Sequence, residues 1–241
     1  MEQFVFSDEN VSIGPDGKRL VTMEGEENFH MVRVLRVKTG EKVLATDGLG
    51  RTFLCVLKEV RREFSVCEVI DESRDLNASR LKYSIGLAVL KPVSKLEWAL
   101  EKCTELGARQ FLLFYSERSE RTNLRIERLR NIAVSAMKQS LQSHFPEIVL
   151  AGSLADVVAR SADYNVKFVF HEKSDCLLAG GLPHDSDVDK WTVALIGPEG
   201  GFTEREVAAL AERGYEPRSL GSARLRSETA AVKVASLLST Y

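Results

Sequence analysis

The chain has 241 residues, of which 44% are hydrophobic and 28% charged, with a formal net charge of −2. That length suits one large domain or two ordinary ones and is enough to bury a substantial core. The near-neutral balance excludes a whole-molecule positive field as the means of drawing in nucleic acid, so any RNA contact must come from local patches.

The first residues, M-E-Q-F-V-F-S-D-E-N, have no basic region followed by a long apolar stretch, and no segment approaches the ~18 apolar residues of a membrane span. These features predict a cytoplasmic protein with no membrane partner. Short β-type runs follow at Lys42 to Ala45, Thr52 to Leu57 and Phe64 to Ile70, with turn residues at Asp47-Gly48 and Gly50, and together they predict a small β-barrel. The polar stretch Asp71 to Ser79 reads as a linker.

Beyond it, strand and helix patterns alternate. Tyr83 to Leu90 reads as a buried strand, and Ser94 to Leu106 as a helix with Ser94 and Glu97 as a capping box and Gly107 as its stop. Phe111 to Phe114 is a strand, and apolar residues at helical spacing from Ile126 to Leu141 mark a long amphipathic helix. Lys167 to Phe170 and Thr192 to Ile196 are further strands. Thr203 with Glu206 caps a helix ending near Gly214, and a last helix runs from about Ser227 to Leu238. The alternation implies an α/β domain with a mainly parallel sheet.

Two segments carry the chemistry. Ile196 to Phe202 reads I-G-P-E-G-G-F, and Arg226 lies 24 residues after Phe202 within L-R-S-E-T-A. Each follows an apolar run (Thr192 to Ile196, and the weaker Pro217 to Leu220), which places both turns at the ends of neighbouring strands, where ligands of open α/β sheets bind. The first turn has neither the Gly-Lys-Ser/Thr of a P-loop nor G-x-G-x-x-G. A lone arginine is usually solvated or salt-bridged, and Glu228 is a possible partner. At a ligand-bearing strand end, however, a guanidinium can stabilise developing negative charge. The arginines between Glu117 and Arg130 read either as a solvated helix face or as a phosphate-contacting surface. His171 with Glu172 follows a strand and is as much a surface histidine as a pocket residue. Cys55, Cys67, Cys103 and Cys176 contain no C-x-x-C pair, and His30, His144, His171 and His184 are scattered. This spacing predicts no metal and no disulfide framework.

Taken in order along nearly the whole chain, these segments resemble the bacterial 16S rRNA uracil-N3 methyltransferases of the SPOUT class. The resemblance is carried by His30, Val34-Leu35-Arg36, Asp47-Gly48 and Gly50, then by Glu97, Lys102 and Glu105-Leu106-Gly107. Ser116-Glu117-Arg118-Ser119, Gln139-Ser140, Ile196 to Phe202 and Leu225 to Ala230 complete it. It implies an α/β architecture, a SPOUT trefoil-knotted parallel-sheet domain over 77–241, preceded by a small PUA-like β-barrel over 1–72 that helps hold RNA. It also implies a homodimer acting on 16S rRNA in the 30S subunit. S-adenosylmethionine would be held by Ile196, Gly197, Pro198, Glu199, Gly200 and Gly201, by Leu220, Gly221 and Leu225, and at the edge by His171 and Glu172. Arg226 would be catalytic, and Arg36, Arg118, Arg121, Lys138 and Gln139 would contact RNA. Three departures stand out: Glu2 and Gln3 occupy the region of a usual basic residue, Gln142 replaces an arginine, and Ser227 replaces a threonine. Two other readings are a SPOUT methyltransferase acting on another RNA base or on tRNA, and a non-catalytic RNA-binding assembly factor that retains the fold.

Overall fold

The computed structural model describes residues 1–172, 174 and 190–239; Cys176 and His184 lie outside the described residues. Contacts divide the chain into two units, Met1–Ala78 with Met137–Phe145, and Ser79–Ala136 with Pro146–Tyr241. Among the described residues no helix is long and apolar enough to cross a membrane.

The first unit is built on a six-stranded sheet. Its strands are β1 (Gln3–Val5), β2 (Val11–Ile13), β3 (Arg19–Glu24), β4 (Lys42–Thr46), β5 (Arg51–Val60) and β6 (Phe64–Arg74), in the order β1-β4-β5-β6-β3-β2. β1 pairs parallel with β4, and the other pairings are antiparallel. A short helix α1 (Gly25–Phe29) follows β3. Alternate residues of β4, β5 and β6 bury Val43, Ala45, Phe53, Cys55, Leu57 and Cys67 with Phe4, Phe6, Val21, Met23 and Met31, as the two-residue period of a half-buried strand requires. Burial pushes the thiols of Cys55 and Cys67 up to about 12, so they behave as small apolar side chains.

The linker expected from Asp71 to Ser79 begins later than the sequence suggests. β6 runs on to Arg74, pairing Asp71 with Leu54 and Glu72 with Phe53. Its polar side chains face solvent while its backbone completes the ladder. Gln3, where a basic residue is usual in the resembled family, is buried in β1 and donates from Nε2 to the Gln142 carbonyl at 2.7 Å.

The second unit holds a wholly parallel sheet of β7 (Lys82–Ala88), β8 (Gln110–Tyr115), β9 (Glu147–Ser153), β10 (Val166–Phe170), β11 (Trp191–Ile196) and β12 (Glu216–Arg218), in the order β12-β10-β11-β7-β8-β9. Helices α2 (Val93–Glu105), α3 (Ile126–Gln139) and α6 (Ser227–Ser239) contribute Leu96, Leu100, Leu129, Ala133, Val234 and Leu238 to the core on one face. On the other face α4 (Leu154–Arg160) and α5 (Glu204–Ala211) contribute Val157 and Leu210. Cover on both faces explains why β7 is buried nearly throughout.

Two helix details differ from expectation. α2 starts at Val93 with Pro92 as its extended N-cap, so Ser94 is not the cap, and Glu97 instead binds the Arg128 guanidinium of α3. The arginine-rich stretch is helical only from Ile126. Arg118, Arg121 and Arg125 therefore precede the helix rather than sharing one of its faces.

Candidate functional site

β10, β11 and β12 run parallel and in register, with Phe170 beside both Ile196 and Arg218. The two glycine turns therefore leave strands separated by β10, not adjacent ones. The carboxyl ends of all three strands come out level, and their loops line a single cavity of about 680 Å³, within the roughly 300–1,000 Å³ of small-molecule sites. Phe170 and Ile196 give it apolar floor, the first turn of α6 adds Ser227 and Ala230, and Arg118 reaches in from the loop after β8.

Crowding favours glycine at two positions of the β11 turn, by backbone at Gly197 and by a side chain at Gly200. A Cβ on Gly197 would stand 3.0 Å from the Phe202 nitrogen and 3.1 Å from the Gly201 carbonyl carbon, because the turn folds back on itself. A Cβ on Gly200 would meet the Arg118 stem at 3.2 Å, and that stem lies there so that Arg118 Nη1 donates to the Gly200 carbonyl at 2.6 Å. The turn is closed by Gly201 N donating to the Pro198 carbonyl at 2.8 Å and leads into α5, where Thr203 and Glu206 form the expected capping box.

Polar contacts fix the remaining loops. Glu199 Oε1 accepts from the Lys91 amide at 3.1 Å and from Lys95 Nζ at 3.5 Å, which ties the turn to the start of α2. The Leu220 carbonyl accepts from Lys233 Nζ on α6 at 2.7 Å, and Gly221 N donates to Ser219 Oγ at 3.2 Å. His171 N donates to the Arg218 carbonyl at 3.1 Å. At the rim, Arg224 and Glu172 approach to 3.6 Å with both side chains largely in water, an arrangement worth little in stability. Loop backbones of this kind offer donors and acceptors to the edge of a heterocycle, and the apolar floor offers a surface for its face. The site thus has the size and lining for an adenosyl group.

The structure brings together all eleven residues expected to hold the cofactor, since His171, Glu172, Ile196 to Gly201, Leu220, Gly221 and Leu225 each line the cavity. Arg226 is exposed and lies between two lining residues, Leu225 and Ser227, but is not itself in the lining. Its carbonyl accepts from Ala230 N at 2.8 Å, opening α6. No ion pair joins it to Glu228 among the described residues; Glu228 is buried, and its Oε2 has no hydrogen-bond partner there.

The residues expected to touch RNA divide between the units. Arg36, Lys138 and Gln139 belong to the first, Arg118 and Arg121 to the second. Arg36 and Gln139 are exposed. Lys138 Nζ binds Glu27 Oε1 at 2.6 Å, which partly neutralises its charge. Arg121 lies over the Tyr115 ring at 5.8 Å. Sequence reasoning missed Lys233, Ser219 and Arg224, whose parts depend on contacts that local spacing does not encode. It found Glu206 only as a cap.

A family described as RNA methyltransferase domain matches residues 77–239, and one described as RNA methyltransferase PUA domain matches residues 24–72. The ribosomal RNA small subunit methyltransferase E of Bacillus subtilis (strain 168) is 30% identical over 232 residues, covering 90% of this chain and 89% of that protein. The crystal structure of a ribosomal RNA small subunit methyltransferase E from Neisseria gonorrhoeae bound to S-adenosyl methionine is similar with a TM-score of 0.80 at 26% identity, covering 100% of this chain and 97% of that one. A probable rRNA-methyltransferase from Porphyromonas gingivalis gives 0.77 at 31% identity, over 100% and 98% of the two chains. The carboxyl-end cavity and these matches lead to one assignment: the chain belongs to the ribosomal RNA small subunit methyltransferase E family.

Proposed function

We propose that this protein transfers a methyl group from S-adenosylmethionine to N3 of a specific uridine in the 16S rRNA of the small ribosomal subunit. The observation that carries this reading is the single cavity at the carboxyl ends of β10, β11 and β12, lined by every residue that the resemblance assigns to the donor. The same resemblance implies that the chain through these loops is knotted, that the enzyme is a homodimer, and that it works in the cytoplasm.

The loops at Gly197 to Gly201, Leu220-Gly221 and Leu225 would hold the donor, with His171 and Glu172 at its edge. Once bound there, it supplies a methyl group made electrophilic by the sulfonium. The chain's own residues do the rest. Uridine N3 carries a weakly acidic proton and a lone pair tied up in ring conjugation, so it would give that proton to solvent water before or as it attacks the methyl carbon, the new N–C bond replacing the S–C bond, whose electron pair stays on the departing sulfur. Arg226, exposed beside the cavity, would place its guanidinium by O2 or O4 and stabilise the negative charge. It stays protonated and so serves as a fixed cation rather than a base. N3 lies on the Watson–Crick edge, so the target base must be unpaired or extruded. Arg36, Arg121, Lys138 and Gln139 would hold the flanking RNA, and Arg118 would join them from the turn it grips.

The test is incubation of the purified protein with 30S subunits and donor labelled in the methyl carbon. Label in 16S rRNA is the expected result; none above the level of a protein-free control rejects the proposal.

A further inference from the structure

We infer that Glu206 is a positioning residue: it ties the Ser116–Ser119 loop to the Gly197–Phe202 turn and thereby sets Arg118 against the donor cavity. The inference rests on the reading of that cavity as the donor site. Glu206 is buried, and its two carboxylate oxygens serve different elements. Oε2 accepts from Thr203 N at 2.8 Å and from Thr203 Oγ1 at 3.2 Å, which completes the cap of α5. Oε1 accepts from the Glu117 amide at 3.0 Å, in a loop 89 residues earlier in the chain.

A helix cap needs only the first of these. The second fixes the residue next to Arg118. The Ser116–Ser119 loop is closed on itself, with Ser116 N donating to Ser119 Oγ at 3.0 Å and Ser119 N to the Ser116 carbonyl at 3.1 Å. Such a closed loop moves as a unit, so one anchor at Glu117 governs where Arg118 stands. From there Arg118 reaches the Gly200 carbonyl at 2.6 Å, its stem filling the space that a Cβ on Gly200 would take. The loop is thus joined to the turn directly at Arg118 to Gly200, in the cavity lining, and through the first turn of α5 at Glu117 to Glu206.

A structural cap and a positioning residue predict different couplings. Donor affinity is measured by calorimetry with S-adenosylmethionine on the full chain for wild type, T203A, E206A, R118A and the E206A/R118A double variant, with melting curves for each. T203A removes the side-chain half of the cap but leaves the Glu117 anchor. We expect E206A to weaken donor binding about tenfold and T203A less than about twofold, and R118A to add less than about twofold on top of E206A, because both remove the same placement. Equal effects of E206A and T203A, or independent multiplication of E206A and R118A, would overturn the inference. Should E206A fail to fold, E206Q enters the same cycle, since it keeps the volume and only one accepting oxygen. A wild-type chain that does not bind the donor would refute the proposed function instead.

Discussion

Replacing Gly197 by alanine tests how tightly the β11 turn is drawn. Its Cβ would stand 3.0 Å from the Phe202 nitrogen, 3.1 Å from the Gly201 carbonyl carbon and 3.2 Å from Phe202 Cδ2. These contacts are tighter than ordinary van der Waals separations, so the neighbours must give by a few tenths of an ångström. The obstructing atoms are mostly backbone, and Phe202 is buried with its ring stacked on Phe114 at 6.2 Å between centroids, so the turn cannot shift without moving the core. Overpacking of this kind costs about 1–3 kcal/mol. For a unit of this size that lowers Tm by roughly 2–12 °C. Opening the turn also displaces the backbone facing the cavity, and donor affinity should fall at least about tenfold by calorimetry, the equivalent of ~1.4 kcal/mol. Gly214→Ala is the control. Gly214 has φ +81 and nothing near its Cβ position, and it lies beyond α5, so alanine there costs stability through backbone strain while leaving affinity unchanged. Wild-type donor affinity in Gly197→Ala would refute the reasoning.

Other consequences can be measured with the same protein. Arg226→Ala should reduce kcat at least about a hundredfold while changing donor affinity less than about threefold, as expected for a cation acting on the uridine; equal loss of both would make Arg226 a cofactor or structural residue. Lys233→Met removes the donor to the Leu220 carbonyl but keeps the stem, and should weaken donor binding about threefold with a Tm change under roughly 3 °C. Burial raises the Cys55 and Cys67 thiols from 9.0 to about 12. Between those values the folded chain keeps protons that the unfolded chain loses, so stability is full below pH 9 and falls as pH rises, by up to about 1.4 kcal/mol per pH unit for each thiol. Urea midpoints at pH 9 and pH 10 should therefore converge in Cys67→Ala relative to wild type; an unchanged difference would count against this assignment.

The cavity was legible in the sequence because its turn needs glycine for steric reasons, and such a need leaves a local trace. The cap at Thr203 and Glu206 was equally local, and α5 begins where that signal places it. Short strands left less. β1 and β2 have three residues each, too few to show alternation, and β9 is interrupted by a register shift between Leu113 and Phe114 of its partner. The reading of Ser94 as a cap followed a sound pattern, but the extended backbone of Pro92 starts the helix earlier and Glu97 serves Arg128. Strand order lies outside any local pattern. The insertion of β10 between β11 and β12 moves the two turns apart by one strand and brings His171 and Glu172 between them. The second task of Glu206 depends on a loop 89 residues away and was likewise hidden.

The central claim is chemical: the base is modified on its Watson–Crick nitrogen. The most direct measurement is complete nucleoside digestion of 16S rRNA after the labelled reaction, with the products separated by liquid chromatography and mass spectrometry. The label should elute as 3-methyluridine, close to one per rRNA molecule at saturation. Label in any other nucleoside, or on a ribose, would contradict it.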